Sequence, residues 1–415
     1  MNALIMKVKK ISKKMFNYRQ LRRAANSQLP SILMFAVIFF IICSDTLVSI
    51  FPMYPSSSQT SEEIFGLSQV TSRKQQIDEV DREAVDPLIP PFNATKGERI
   101  AWFRRKSSEL EILNSTELSQ KFHGRVLEFF NKCTFQFFMT WLLPAETFGK
   151  REFLAMDSLF KANPHACLII VSRSLDSIEG YQILKPVLDR GFQVLAVTPD
   201  IPFLLKNTPA KAWFDEIKSG RRDPGSISLS VNLSKLLRFA ILLKYGGSYL
   251  DPDFIVLKDF MNLRNAIGAE SADQVTNQWR RINDAVMMFD INHPILEDFI
   301  KEFVKSFNGN KWGQNQPYLI SRVVERVGIK PGYNVTILQP QAFYPVDWMK
   351  IDRLFRKPAN RAEKKWTEET LHSLTESYAL HLWNKKTRNL TIQAGSAMDK
   401  LILENCVVCK KIKPS

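Results

Sequence analysis

Three short runs in a fixed order constrain this chain most. ACLIIVS at 166 is apolar almost throughout, IEGYQILKPVLDRG repeats apolar residues at helical spacing and closes on Gly191, and FQVLAVT at 192 is apolar again. They read as strand, helix and strand. A βαβ unit of this length implies a parallel sheet, and so an α/β domain. At 415 residues the chain has length for one large domain of this class or two modest ones. Further along, VNLSKLLRFAILLKYGG reads as a helix with a Gly-Gly stop, and SYLDPDFIVL and AVMMF read as strand-like. PILEDFIKEFVKSF reads as a helix and YALHLW as another strand. The chain carries no internal repeat, no GxGxxG and no Walker loop.

Upstream the character changes. Residues 1–30 hold Lys7, Lys9, Lys10, Lys13, Lys14, Arg19, Arg22 and Arg23 with no acidic residue, eight of the formal +15. LPSILMFAVIFFIICSDTLVSIF follows at 29–51, long enough to cross a hydrocarbon core of ~30 Å as a helix of ~20 residues. It starts too late and runs too long for a cleaved signal peptide. The reading is a cytosolic basic tail over 1–30 and a transmembrane signal anchor over 31–52. By the positive-inside rule the rest lies across the membrane, a type II topology. Residues 53–130, rich in Ser, Gln and charge, read as a luminal stem with one helix near 117–131, and the compact domain runs over 131–415.

Without the tail the chain keeps +7 by subtraction. Those basic residues are scattered and lack the clustering and stacking aromatics of nucleic-acid binding, so a phosphorylated small substrate or an anionic membrane surface suits the excess better. Cys43 lies in the apolar segment; Cys133, Cys167, Cys406 and Cys409 lie beyond it and in an oxidising lumen allow two disulfides in three pairings. CVVC at 406 has no second CxxC to complete a zinc set, which favours a structural role. Asn93, Asn114, Asn334 and Asn389 begin Asn-x-Ser/Thr triplets and are expected to be glycosylated; Asn232 begins another but falls in a helix.

YGGSYLDPDFIVL at 245 carries the chemistry. Two carboxylates at i and i+2, Asp251 and Asp253, can both reach one divalent ion, and such an ion is what a departing nucleotide diphosphate needs. Alone, Asp-x-Asp is equally a turn, since Pro252 is a turn former. Gly246 and Gly247 end the helix before it and FIVL continues a strand, which places the pair at the carboxyl side of a sheet element, where open α/β folds bind ligands.

NLSKLLRFAILLKYGGSYLDPDFIVLKDFMNLRNAIGAE resembles the core of the α-1,4-glycosyltransferases. The resemblance continues through RINDAVMMFDINHPILEDFIKEFVKSFNGNKWGQNQPYLISRV, FYPVDW, YALHLWNKKTRNL and GSAMDKLILENCVVC, covers most of residues 133–409, and has the wording of the plant members. It implies a GT-A-type, Rossmann-like domain, with a DXD region over about 160–290 and a conserved C-terminal region over about 291–410. It further implies a Golgi enzyme that transfers a hexose or N-acetylhexosamine from a UDP-sugar to a glycan or glycosphingolipid, with Mn²⁺ and retention. Carried over by position, Asp251 and Asp253 hold the metal and diphosphate, and His381 completes the metal contact. Arg238, Tyr249, Trp383 and Asn384 lie against the sugar donor. Asp284, Asp290 and Gln314 are the further candidates for catalysis, with Asp176 another carboxylate of the domain. Read without the family, His381 is a core histidine on an apolar strand, Arg238 a helix surface charge and Trp383 packing.

Four departures from the family accompany the matches. Pro252 replaces the usual Thr or Ser of DXD and removes an N–H that could bind phosphate. Gln314 and Gln316 replace His and Gly in the WGHxGP pattern, Lys235 replaces an Asp of the animal members, and Asp284 stands where plant members often have Asn. They define the alternative reading, a catalytically impaired homologue that binds a glycan or a partner enzyme in the Golgi.

Overall fold

The computed structural model describes residues 86–311, 317–327 and 330–408, all of them within one compact unit, 75–415. The anchor expected at 31–52, Gln314, Gln316 and Cys409 lie outside the described residues. Among the described residues no helix is long and apolar enough to cross a membrane.

The strands are β1 (Phe135–Thr140), β2 (Ala166–Val171), β3 (Gln193–Val197), β4 (Gly247–Leu250), β5 (Phe254–Val256), β6 (Ala266–Ala272), β7 (Trp279–Phe289), β8 (Thr336–Leu338) and β9 (Ala379–His381). The helices that bear on the site are α1 (Lys96–Lys106), α2 (Phe122–Phe130), α3 (Lys150–Ala162), α4 (Ile178–Leu188), α5 (Leu229–Tyr245), α6 (Pro294–Ser306), α7 (Pro317–Val327) and α8 (Asn384–Thr387). The expected βαβ unit is β2, α4 and β3, with Leu168 opposite Val194 in parallel register. Ser177 caps α4 by accepting from the Gly180 N–H.

One sheet has the order β3-β2-β1-β4-β7-β6-β8, and β5 and β9 form a second, two-stranded sheet. β1 to β4 are mutually parallel; β7 runs antiparallel to β4 and β6. β1 lies between β2 and β4 although FQFFMT has no sequence punctuation around it, because both of its faces are buried. Phe138 packs on one side, with Phe130 of α2 edge-on at 5.1 Å, and Phe137 and Met139 pack on the other. A strand covered on both faces loses the alternation by which strands are usually read.

SYLDPDFIVL is not one strand. β4 ends at Leu250 in the large sheet and β5 begins at Phe254 in the small one, so Asp251, Pro252 and Asp253 form the crossing between the two sheets. The approach to it depends on glycine: Gly246 (φ +64°) and Gly247 (φ +93°) both adopt left-handed backbone, and a Cβ at Gly246 would stand 2.8 Å from the Ile291 nitrogen.

The described part of the segment read as stem is folded against the domain. Trp102 and Phe103 of α1, Leu113, and Phe122 and Val126 of α2 are buried, and Arg99 forms a bidentate pair with Asp223 (2.9 and 2.6 Å). The expected helix near 117–131 corresponds to α2, whereas Trp102 and Phe103 sit as a short apolar pair among the charged residues of α1. Cys133 and Cys167 form one disulfide, joining the starts of β1 and β2, and Cys406 is also disulfide-bonded.

Asp176 is a clamp between elements. It pairs with Arg125 of α2 (2.7 and 2.9 Å) and accepts from the Thr198 amide (2.8 Å) and hydroxyl (2.7 Å) beyond β3. Burial alone would raise its carboxyl, but Arg125 and Thr198 outweigh that and hold it below the usual carboxylate range. A depressed folded-state pKa adds stability that is present above the unfolded value of about 4 and is lost as pH falls through the folded value. Asp176→Asn is expected to cost about 1–3 kcal/mol at neutral pH and to flatten the acid limb of stability in denaturant titrations; an unchanged acid limb would show that other carboxylates set it.

Candidate active site

Backbone contacts on both sides of Pro252 fix the crossing. The Asp251 N–H donates to the Ala285 carbonyl of β7 (2.8 Å), and the Leu382 N–H donates to the Asp253 carbonyl (2.8 Å). Proline between them removes an N–H from the turn and none from either ladder, so both carboxylates remain anchored.

Asp251 is held from the α5 side. Arg238 donates Nη2 to Oδ1 (2.9 Å) and Nη1 to Oδ2 (3.2 Å), and Nη1 also reaches the Asp284 carbonyl (2.8 Å). The Arg238 guanidinium stacks over the Tyr249 ring at 4.5 Å, and the Tyr249 hydroxyl donates to Asp251 Oδ1 (2.8 Å). Thr140 Oγ1 lies 2.7 Å from that hydroxyl and 2.6 Å from Ser234 Oγ. Tyr249 is 0% exposed. It touches the carboxylate from within the core, beneath Asp251. Arg238, buried as well, orients Asp251 in the same way.

Asp253 is held from the opposite side. His381 Nε2 lies 3.2 Å from Oδ1, and the Asn384 backbone N–H donates to Oδ2 (3.1 Å). Trp383 between them adopts left-handed backbone (φ +54°), rare for so bulky a side chain, and its indole N–H donates to the Val346 carbonyl (3.1 Å). Behind Asn384 stands Glu152, buried at the start of α3, whose Oε1 lies 3.4 Å from Asn384 Nδ2 and whose Oε2 accepts from the Gly149 N–H. Asn384 Oδ1 and His381 Nδ1 are buried with no hydrogen-bond partner.

The two carboxylates differ electrostatically. Burial pushes Asp251 upward against the pull of Arg238, with Asp253 and Asp284 adding to the rise. Burial also works to raise Asp253, but the His381 ring and the bonds from His381 and Asn384 hold it below the usual range. Around them lie buried Asp284, with Oδ2 3.4 Å from Arg238 Nη1, and Lys235, whose ammonium burial drives down to about 7. The Tyr344 hydroxyl, also buried without a hydrogen-bond partner, is pushed up by burial and then by the charges of Glu270, Asp284, Asp251 and Asp253.

Not every candidate joins this cluster. Asp290 follows the far end of β7, six residues past Asp284 and so about 20 Å along the strand. It pairs there with Arg264 (2.9 Å) and Asn265 (2.8 Å), apart from the Asp251–Asp253 cluster. Asp176 is the clamp described above, and Gln314 lies outside the described residues. Asn93, Asn334 and Asn389 are exposed and Asn114 is half-buried, whereas Asn232 is 1% exposed within α5. Glu152, Thr140 and Tyr344 were not singled out by sequence; Tyr344 alone lay in a quoted motif, FYPVDW.

Among the described residues no group of three or more His, Cys, Asp and Glu side chains is arranged to hold a metal on its own. The donor chemistry nevertheless fits one kind of ion. A small divalent cation that arrives with phosphate oxygens and water needs only one or two protein carboxylates. Each carboxylate oxygen has more lone pairs than Arg238, Tyr249, His381 and Asn384 occupy.

A family model described as the alpha 1,4-glycosyltransferase conserved region matches residues 288–413. A second, the glycosyltransferase sugar-binding region containing DXD motif, matches residues 149–273. An uncharacterised protein of Arabidopsis thaliana is 30% identical over 291 residues, 68% of this chain and 43% of its own length. Lactosylceramide 4-alpha-galactosyltransferase of Mus musculus is 31% identical over 252 residues, 58% of this chain and 65% of the mouse protein. Alpha-1,4-N-acetylglucosaminyltransferase of Homo sapiens is 28% identical over 219 residues, 50% of this chain and 58% of the human protein. The matches thus span less than two thirds of each of these relatives.

Proposed function

Because the chain belongs to the α-1,4-glycosyltransferase family, we propose that it transfers a hexose or N-acetylhexosamine from a UDP-sugar to a glycan or glycolipid acceptor. The observation that carries this reading is the pair Asp251 and Asp253, braced from opposite sides by Arg238 with Tyr249 and by His381 with Asn384. Asp251 and Asp253 would hold a divalent ion such as Mn²⁺, with His381 bracing Asp253 through Nε2. Bound with the diphosphate, that ion supplies Lewis-acid neutralisation of the leaving group.

The chain's own residues preorganise the site. Arg238 and Tyr249 fix the Asp251 carboxylate so that it need not reorient when the sugar donor arrives, and Glu152 holds the side chain of Asn384, whose backbone N–H braces Asp253. Retention fits acceptor attack on the face the diphosphate leaves. Asp284 is buried, with Oδ2 beside Arg238. The basic tail and the apolar run at 29–51 support a type II membrane setting in the Golgi.

The impaired-homologue reading gains nothing from Pro252, since both carboxylates are anchored across it. The test is to incubate the full chain in detergent with a panel of UDP-sugars and aryl glycosides, with Mn²⁺ or EDTA, and to measure released UDP and the anomeric configuration of any product. Mn²⁺-dependent release with an α-linked product is expected. Absence of Mn²⁺-dependent turnover of every UDP-sugar would refute the proposal.

A further inference from the structure

One loop joins the buried floor of the site to the surface. Residues 343–349 run alongside β9 and α8 and are tied to them at three successive points. The His381 N–H donates to the Phe343 carbonyl (3.1 Å), the Trp383 indole to the Val346 carbonyl (3.1 Å), and Lys386 Nζ to the carbonyls of Trp348 (2.8 Å) and Met349 (2.9 Å). At its inner end Tyr344 packs against His381 (5.5 Å) and Trp383 (5.8 Å). At its outer end Trp348 is 55% exposed and Met349 69%. Trp348 lies four positions along the chain from Tyr344, a reach of at most about 14 Å.

We propose that Trp348 is the platform on which a pyranose ring of the acceptor rests, an inference that builds on the proposed glycosyl transfer. A tryptophan is ordinarily among the most covered side chains of a fold. Here the backbone of Trp348 is fastened while more than half of its side chain is left open, with the Lys386 ammonium 5.6 Å from the ring centroid. A rigid aromatic whose cost of ordering is already met in the free protein suits ligand binding.

Charged groups frame the ring. Asp347 pairs with Lys350 (3.8 Å), and Asp352 pairs with Lys386 (3.2 Å) and with Arg356, two carboxylates against three cations. They present hydrogen-bonding groups around an apolar face. A neutral sugar has the complementary character, one C–H face and a rim of hydroxyls.

The test compares wild type, Trp348→Ala and Trp348→Phe in the full chain in detergent, with p-nitrophenyl β-lactoside, β-galactoside, β-glucoside and β-N-acetylglucosaminide as probes. Glycoside binding is followed by saturation-transfer NMR, and acceptor KM and kcat are measured wherever transfer occurs. Trp348→Ala is expected to weaken glycoside binding and raise acceptor KM by about tenfold to a hundredfold, with kcat changing less than KM and Trp348→Phe in between. Unchanged glycoside binding or acceptor KM in Trp348→Ala overturns the inference. So does failure of wild type to bind any of the four glycosides, or capture by phosphatidylserine vesicles that depends on Trp348 while acceptor KM does not. Mn²⁺-dependent UDP binding separates the two claims: if wild type shows none, the transfer reading fails, and Trp348-dependent glycoside binding still decides the platform.

Discussion

Asp253→Asn is expected to lower transfer by about 10²–10³-fold or more, the scale of losing a preorganised group where charge develops, while leaving the fold intact. Asparagine keeps the shape and can still accept from the Asn384 N–H, so the β5–β9 junction has no reason to open. What disappears is the negative charge that faces the metal diphosphate. Asp253 raises the cost of ionising Asp251, but His381 and Asn384 hold the Asp253 carboxyl itself below the usual range, so neutralising it should lower the unfolding midpoint at neutral pH slightly. Equal kcat/KM in the variant and wild type, measured by UDP release with Mn²⁺, would remove Asp253 from the chemistry.

Arg238→Ala is expected to do damage of both kinds. The guanidinium is buried and answers two oxygens of Asp251, the Asp284 carbonyl and the Tyr249 ring face at once. Removing one partner of a buried pair strands the other charge and typically costs 3–5 kcal/mol. Lysine should not rescue it, because a point charge cannot reproduce a bidentate fork that also stacks on an aromatic. Arg238→Met combined with Asp251→Asn neutralises the stranded charge and should recover part of the stability but none of the activity. Recovery of both together would make Arg238 a purely structural residue.

How much of this was legible before the structure depends on where each partner sits in the chain. Asp251, Asp253 and the glycines ahead of them lie within one short stretch, and turn chemistry with strand context pointed to the crossing. That the crossing joins two different sheets was hidden, because FIVL pairs with β9, which begins at residue 379. Glu152 was illegible for the same reason: it lies 232 residues from Asn384, and locally it looks only like a helix-capping residue beside Gly149. Tyr249 was recognisable as important, but its layer was not, since only burial distinguishes touching a ligand from supporting a carboxylate. The separation of Asp290 from the pair was hidden because a strand's sequence does not say which end faces the site. The α/β class, by contrast, followed from β2, α4 and β3 alone, whose residues are contiguous and whose register is set by apolar runs.

The most direct test of the central claim is Mn²⁺ binding to the full chain in detergent, followed by electron paramagnetic resonance with and without UDP, in wild type and in Asp253→Asn. Two braced carboxylates that need phosphate oxygens to complete a shell predict weak Mn²⁺ binding alone, strong binding once UDP is added, and loss of the UDP-dependent signal in the variant. Mn²⁺ and UDP held as tightly by Asp253→Asn as by wild type would contradict the account.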